Sequence, residues 1–227
     1  AVNTTGASNV AVGYAALDAN TTGSQNVAVG YSALTAATTG NFNIAMGHEA
    51  GKLITTGSNN IAIGQSALGT NTAGDNVAIG YNAMLANTTG TRNVAVGYAA
   101  LDASTDQHDV VAVGYDALTS ANGATQTVAI GSYAGAAVTN SDYNTFVGYK
   151  SGYANTSASS NTGMGAGALL SNVTGARNTA AGANSLDANT GAHDNTAFGY
   201  DALTAATGAA NTAFGGYAGD NITSGSN

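Results

Sequence analysis

Two histidine–aspartate pairs are the residues of this sequence best suited to metal binding or acid–base chemistry. His108-Asp109 and His193-Asp194 each lie at the same position of a repeated motif, five repeats apart. A histidine held by a carboxylate can bind a metal ion or orient a general base. At about 4.8 Å per stacked strand, five repeats separate the pairs by about 24 Å, too far to share one ion. We therefore expect both pairs to be loop residues that were copied with the repeats.

Five other carboxylates recur at fixed positions of the repeat. Asp18, Asp102 and Asp187 share one position, and Asp116 and Asp201 share another. A calcium-binding β-roll would show Gly-Gly-x-Gly-x-Asp in every repeat, and that motif is absent. No carboxylate pair stands out for glycoside hydrolysis, and no nucleophile motif or triad spacing occurs. The sequence predicts that the chain is not an enzyme and has no catalytic residue, cofactor or metal site.

A row of tyrosines is the repeated feature most able to bind a ligand. Tyr81, Tyr98 and Tyr115 fall on consecutive repeats, and an aromatic row can stack on sugar rings or on bases. The alternative is that the rings pack on one another as a ladder that stabilises the stacked strands. Gln65 and Ser132 interrupt the tyrosine row, which favours the ladder over a ligand-binding surface.

These residues are positioned by a short motif, of which Asn26-Val27-Ala28-Val29-Gly30-Tyr31 is one copy. A fixed short period indicates one structural unit that is stacked on itself. The intervals are seventeen residues, except for two of sixteen. The glycine of the motif occurs thirteen times, at Gly13, Gly30, Gly47, Gly64, Gly80, Gly97, Gly114, Gly131, Gly148, Gly165, Gly182, Gly199 and Gly215.

Each repeat predicts one coil of an all-β fold, a parallel β-roll or β-solenoid with two short strands per coil. The β-branched segment Val27-Ala28-Val29 is the first strand, and Ser32-Ala33-Leu34 forms a second wall. Gly30 lies at the bend, where glycine can adopt a positive φ or let another backbone approach closely. The asparagine before the first strand, present in eleven of thirteen coils, predicts a ladder of amide hydrogen bonds.

The alternation of side chains along the strand bears on assembly. Val27 and Val29 point to one face and Ala28 to the other. We expect the larger residues to fill the coil interior, which leaves the small alanine against a close neighbour. A small residue at nearly every rung would let another chain approach, so we infer self-association as a homotrimer.

A longer repeat of five coils is superimposed on the short one. Leu101-Asp102-Ala103 corresponds to Leu186-Asp187-Ala188, and Gly114-Tyr115-Asp116 corresponds to Gly199-Tyr200-Asp201. The prediction is a single solenoid domain over residues 1–227, built from five-coil sets at about 1–84 and 85–169 and an incomplete set at 170–227.

Composition excludes several classes of partner. The formal charge is −8 with only four Lys and Arg residues, which leaves no basic surface for nucleic acid. No run of about eighteen apolar residues occurs, so we expect no membrane insertion within this chain. The absence of cysteine excludes disulfides and thiolate metal sites.

The segment from Asn26 to Gly30, followed by Ala33, resembles the head repeats of trimeric autotransporter adhesins. With the Thr-Thr-Gly linkers it is also similar to shaft repeats of phage tail fibres. The resemblance implies a left-handed parallel β-roll of three chains that serves in surface attachment, with a host-surface or glycan receptor. The implied location is extracellular, on the cell surface or in a virion tail fibre. The coil of seventeen residues is longer than the usual adhesin head coil.

Three functional hypotheses follow. The first is a non-enzymatic fibre or adhesin segment that forms a stiff extracellular rod. The second is a filament subunit that stacks end to end with other copies. The third is a ligand-binding solenoid for ice or glycan, for which regular threonine rows are the relevant feature. The threonine pairs lie in loops of irregular length, which weighs against ice.

Overall fold

The computed structural model describes residues 3–224 and shows an all-β parallel solenoid. Within that range the regular elements are thirteen three-residue strands and no helix, so no helix there could cross a membrane. The chain forms two compact units that divide after Val110. The first unit contains β1 (Val10–Val12), β2 (Val27–Val29), β3 (Ile44–Met46), β4 (Ile61–Ile63), β5 (Val77–Ile79) and β6 (Val94–Val96). The second contains β7 (Val111–Val113), β8 (Val128–Ile130), β9 (Thr145–Val147), β10 (Thr162–Met164), β11 (Thr179–Ala181), β12 (Thr196–Phe198) and β13 (Thr212–Phe214).

Within each unit, every strand pairs in parallel with the strand of the next coil. Val27 lies opposite Ile44, and Val29 lies opposite Met46. The same residue positions therefore form continuous columns along each unit, and one coil adds one rung to the sheet. The handedness of the coil and the number of chains in the assembly stay predictions.

The prediction of two strands per coil is wrong, because the second wall is not extended. Ser32 has a φ of 54° and Leu34 a φ of 49°, and the equivalent residues of the other coils are also left-handed. Neighbouring coils are still joined there: Ser32 N–H donates to the Tyr14 carbonyl at 2.8 Å, and Leu34 N–H to the Ala50 carbonyl at 3.0 Å. The second wall is thus a hydrogen-bonded stack of turns. No valine, isoleucine or threonine occurs at these two positions in any coil, since β-branched side chains tolerate a positive φ poorly.

The repeated glycine ends each strand in a conformation that side chains rarely adopt. All thirteen have a φ between 121° and 142°. At Gly30 a Cβ atom would also collide with the carbonyl oxygen of Gly47 in the next coil. Positive φ and close backbone approach therefore act together at this bend.

The expected orientation of the strand is inverted in the structure. Ala28, Ala45 and Ala62 are completely buried in the coil interior, whereas Val12 is 56% and Met46 is 43% exposed. The reason is the width of the coil, whose interior also holds the buried Leu34 column of the second wall. Little volume remains opposite those leucines, so the small residue points inward and the β-branched residues point outward. Ala28 is buried and presents no surface to another chain, so the prediction that it lies at a trimer contact is wrong.

The asparagines before the strands form the amide ladder expected from the sequence. Asn43 is fully buried; its Oδ1 accepts the N–H of Asn60 at 3.0 Å, and its Nδ2 donates to the Gly57 carbonyl at 2.9 Å. In the second unit Asn144 Oδ1 likewise accepts the N–H of Asn161 at 2.9 Å. Each amide satisfies backbone groups that no strand partner reaches.

The coil interior stays filled because a small residue at one core position is matched by a large residue at another. Gly51 replaces the usual leucine of the second wall, and Ile54, three residues later, fills the space. Phe146 replaces a strand alanine and is fully buried. Its ring occupies the space that a Cβ would take at Gly152, and it lies close to the Cβ positions of Gly135 and Gly163.

Candidate functional site

The first histidine–aspartate pair belongs to a polar cluster that joins two adjacent coils of the first unit. His108 Nδ1 lies 3.2 Å from the backbone N–H of Thr91 and accepts its hydrogen bond. Asp109 receives two hydrogen bonds from Arg92, from Nε at 2.7 Å and from Nη2 at 2.9 Å. The histidine and the carboxylate thus hold different groups of the preceding coil, and neither orients the other.

The second unit contains the same arrangement around the second pair. His193 Nδ1 accepts the N–H of Ala176 at 2.9 Å, and Arg177 binds Asp194 through Nε at 2.7 Å and Nη2 at 2.9 Å. The histidine position belongs to a wider column, because Ser58 Oγ accepts the N–H of Asn41 in the same way. The repeated geometry indicates a structural role for both pairs.

Charge pairing shifts the pKa of the carboxylates in these clusters. The hydrogen bonds from Arg92 hold the pKa of Asp109 below its ordinary value, and Arg177 does the same for Asp194. Lys52, 2.8 Å from Glu49, lowers the pKa of that carboxyl. All three ion pairs lie at the surface, where water and salt screen them.

Within residues 3–224, no group of three or more histidines, cysteines and carboxylates is close enough to hold a metal ion. The two histidine–aspartate pairs lie in different units. His108-Asp109 is close to the end of the first unit, and His193-Asp194 is in the second. In both units the histidine of the pair joins adjacent coils through a backbone N–H.

The predicted tyrosine row is at the surface, and its described contacts are of two kinds. In the first unit, Tyr81 and Tyr98 are 42% and 49% exposed and stack in parallel with ring centroids 5.1 Å apart. Parallel stacking covers ring faces that a sugar would need, as the ladder interpretation expects. In the second unit, Tyr115 is 45% exposed and meets Tyr133 edge to face at 5.3 Å.

The structure also brings together aromatic residues that the sequence analysis did not select. In the second unit Tyr133 lies edge to face with Tyr149 at 6.4 Å and with Tyr153 at 6.5 Å. The ammonium of Lys150 lies over all three rings, 5.3–5.9 Å from their centroids. Beside this aromatic cluster is an open cleft of about 230 Å³. The sequence holds one signal for it: Tyr153 is the only aromatic residue at its repeat position in thirteen coils.

Comparison of the chain with protein-family models, with curated proteins and with solved structures found no match.

Proposed function

We propose that the chain is a non-enzymatic structural segment of an extracellular fibre, assembled from copies of itself and used for surface attachment. Support comes from the way the coils are joined. In each unit, strand hydrogen bonds and the turn stack connect every coil to its neighbour, and the asparagine ladder adds bonds where successive coils carry the asparagine. Such repeated local connection gives stiffness through stacking and needs no central core.

The exposed strand face carries the proposal. In the first unit the outward positions of all six strands are Val, Ile or Met. Ile44 and Met46 are 36% and 43% exposed, and no strand residue of either unit is charged. At about 4.8 Å per strand and three residues in width, the face of the first unit covers on the order of 300 Å². In the second unit the first outward position is threonine in β9 to β13, so the face there is less apolar. A contiguous apolar patch of this size is often a functional surface, and contact with a partner would remove it from water.

A second copy of the chain is the partner that fits this face best. Its strands repeat at the same spacing, so rows of Val and Ile from two copies can interdigitate along their length. The charge of −8 resides outside the strands and does not oppose contact between strand faces. A homotrimer is the arrangement we propose, and the outward valine rows now support it in place of Ala28.

The solution mass tests the proposal, and charged substitutions identify the surface. Sedimentation equilibrium should give three times the chain mass of 21.9 kDa. Val29→Asp combined with Ile63→Asp should produce monomers that keep their β-sheet circular dichroism. The matched control, Thr22→Asp combined with Thr39→Asp, adds the same charge at exposed loop positions and should remain trimeric. A wild-type chain that sediments as a monomer would refute self-association, and dissociation by both double variants would refute the assignment of the surface.

A further inference from the structure

Two clefts occupy the same repeat positions in the two units and differ in their side chains. The cleft of the first unit, about 220 Å³, is lined by Glu49, Lys52, Leu53, Ser66, Gly69, Thr70 and Leu85. That of the second, about 230 Å³, is lined by Asp116, Thr119, Ser120, Tyr133, Ala136, Ala137 and Tyr153. Counted from the motif glycine, the two sets match position by position. The shape of the cleft therefore comes from the repeat, whereas its chemistry is specific to each unit.

The second cleft, here called the tyrosine cleft, combines aromatic rings with hydroxyl and carboxylate groups. Tyr133 and Tyr153 replace Ser66 and Leu85 of the first cleft. Their edge-to-face contact, with an interplanar angle of 75°, covers only part of one ring face. This differs from the parallel pair Tyr81–Tyr98, whose facing surfaces are occupied. Tyr153 is also 40% exposed, so its ring is accessible from solvent.

The polar lining limits the kind of ligand. Asp116, Thr119 and Ser120 line the tyrosine cleft, and the ammonium of Lys150 lies over the rings of Tyr133 and Tyr153. One carboxylate and one ammonium balance in charge, which favours a neutral polar ligand over an ion. The volume is below the range of about 300–1,000 Å³ found for drug-sized ligands, so only one small ring fits.

We propose that the tyrosine cleft binds one pyranose ring of a neutral glycan. The ring C–H groups carry partial positive charge and pack on the negative face of a tyrosine. The sugar hydroxyls, which both donate and accept hydrogen bonds, meet the carboxylate of Asp116 and the hydroxyls of Thr119 and Ser120. The cleft lies on the wall of turns and not on the strand face, so glycan binding does not depend on the proposed self-association.

Saturation-transfer NMR on the full chain tests this site with four probes. These are the methyl glycosides of glucose, galactose, mannose and N-acetylglucosamine. At least one should receive saturation at its ring C–H protons, with a Kd on the order of 1 mM for so small and open a site. Tyr153→Ala should raise that Kd about tenfold, the effect of losing one aromatic contact. Tyr153→Phe keeps the ring and should retain binding.

Leu85→Ala is the matched control, because it truncates the same repeat position in the first cleft. It should leave the Kd unchanged. The proposal is overturned by absence of saturation transfer to all four probes, or by equal binding of the wild type and Tyr153→Ala. An equal loss in Leu85→Ala would also overturn it. None of these outcomes alters the sedimentation result, so the two proposals fail separately.

Discussion

At the scale of single residues, identical side chains at one repeat position do not share one environment. Asp187 belongs to the position that also holds Asp18 and Asp102. Burial raises the pKa of the Asp187 carboxyl, and a hydrogen bond from the Ala188 backbone opposes this only in part. Its Oδ1 is buried without a hydrogen-bond partner. In contrast, Arg177 lowers the pKa of Asp194.

These opposite shifts predict opposite dependences of stability on pH. The folded-state pKa of Asp187 lies above its unfolded value, so ionised Asp187 destabilises the fold, and stability is recovered as the pH falls through the raised pKa. Asp187→Asn should therefore raise the melting temperature near neutral pH. It should have no effect below a pH of about 3, where the carboxyl is protonated in both states.

Asp194→Asn is the control, because it should change the melting temperature in the opposite direction. The stability from Asp194 is present above its unfolded pKa and is lost as the pH falls through the lowered folded pKa. Its removal should lower the melting temperature near neutral pH, by a small amount because the pair is exposed. Thermal unfolding followed by circular dichroism at several pH values measures both. A lower neutral-pH melting temperature for Asp187→Asn would contradict the assignment.

At the scale of elements, the strands are too short to be stable without support from side chains. Each has only three residues, and in eleven of the thirteen coils an asparagine precedes the strand, such as the buried Asn43, which extends the hydrogen bonding between coils. Asn144, for example, donates to the Ala158 carbonyl at 2.9 Å and to Ser141 Oγ at 3.0 Å, while its Oδ1 serves Asn161. The amide ladder is therefore part of the sheet in energetic terms.

Removal of one ladder amide should be costly. Asn144→Ala leaves the buried N–H of Asn161 without its acceptor, whereas the carbonyl of Ala158 keeps the hydrogen bond from Asn155 Nδ2. The substitution should lower the free energy of unfolding by about 1–3 kcal/mol. The control Asn140→Ala changes an exposed amide of the same unit and should cost less than about 0.5 kcal/mol. Urea unfolding measures both variants. Equal shifts of the two midpoints would show that the ladder contributes nothing.

The sequence predicted the positions of the strands well and their orientation badly. The alternation in Val27-Ala28-Val29 places the two valines on one face but does not say which face is inside. That depends on the space left by Leu34 on the opposite wall, a property of the closed coil. The extended second wall was also mispredicted, because Ser32-Ala33-Leu34 contains no glycine to signal its positive φ angles. The tyrosine cleft was missed since it combines residues from three coils.

At the scale of the whole molecule, a structure built from equal coils should tolerate the loss of a complete one. Deletion of residues 31–47 joins Gly30 to His48 and removes one period, so every column stays in register. Unfolding should remain cooperative, with a melting temperature lowered by only a few degrees, about the effect of 1 kcal/mol.

The matched control is deletion of residues 31–38, which removes half a coil. It places loop residues where the second wall should pack and should abolish the cooperative transition. Scanning calorimetry distinguishes the two deletions. Loss of the transition in both would show that the coils are not interchangeable units.

The surroundings of Phe146 constrain which substitutions its coil can accept. The ring lies where a Cβ at Gly152 would be, and a Cβ at Gly163 would stand 3.3 Å from the ring. Leucine, the usual residue at the repeat position of Gly152, and a phenylalanine at 146 would compete for the same space, so one coil cannot hold both. Phe146 must shrink before Gly152 can gain a side chain. This coil therefore cannot exchange these residues singly with its neighbours.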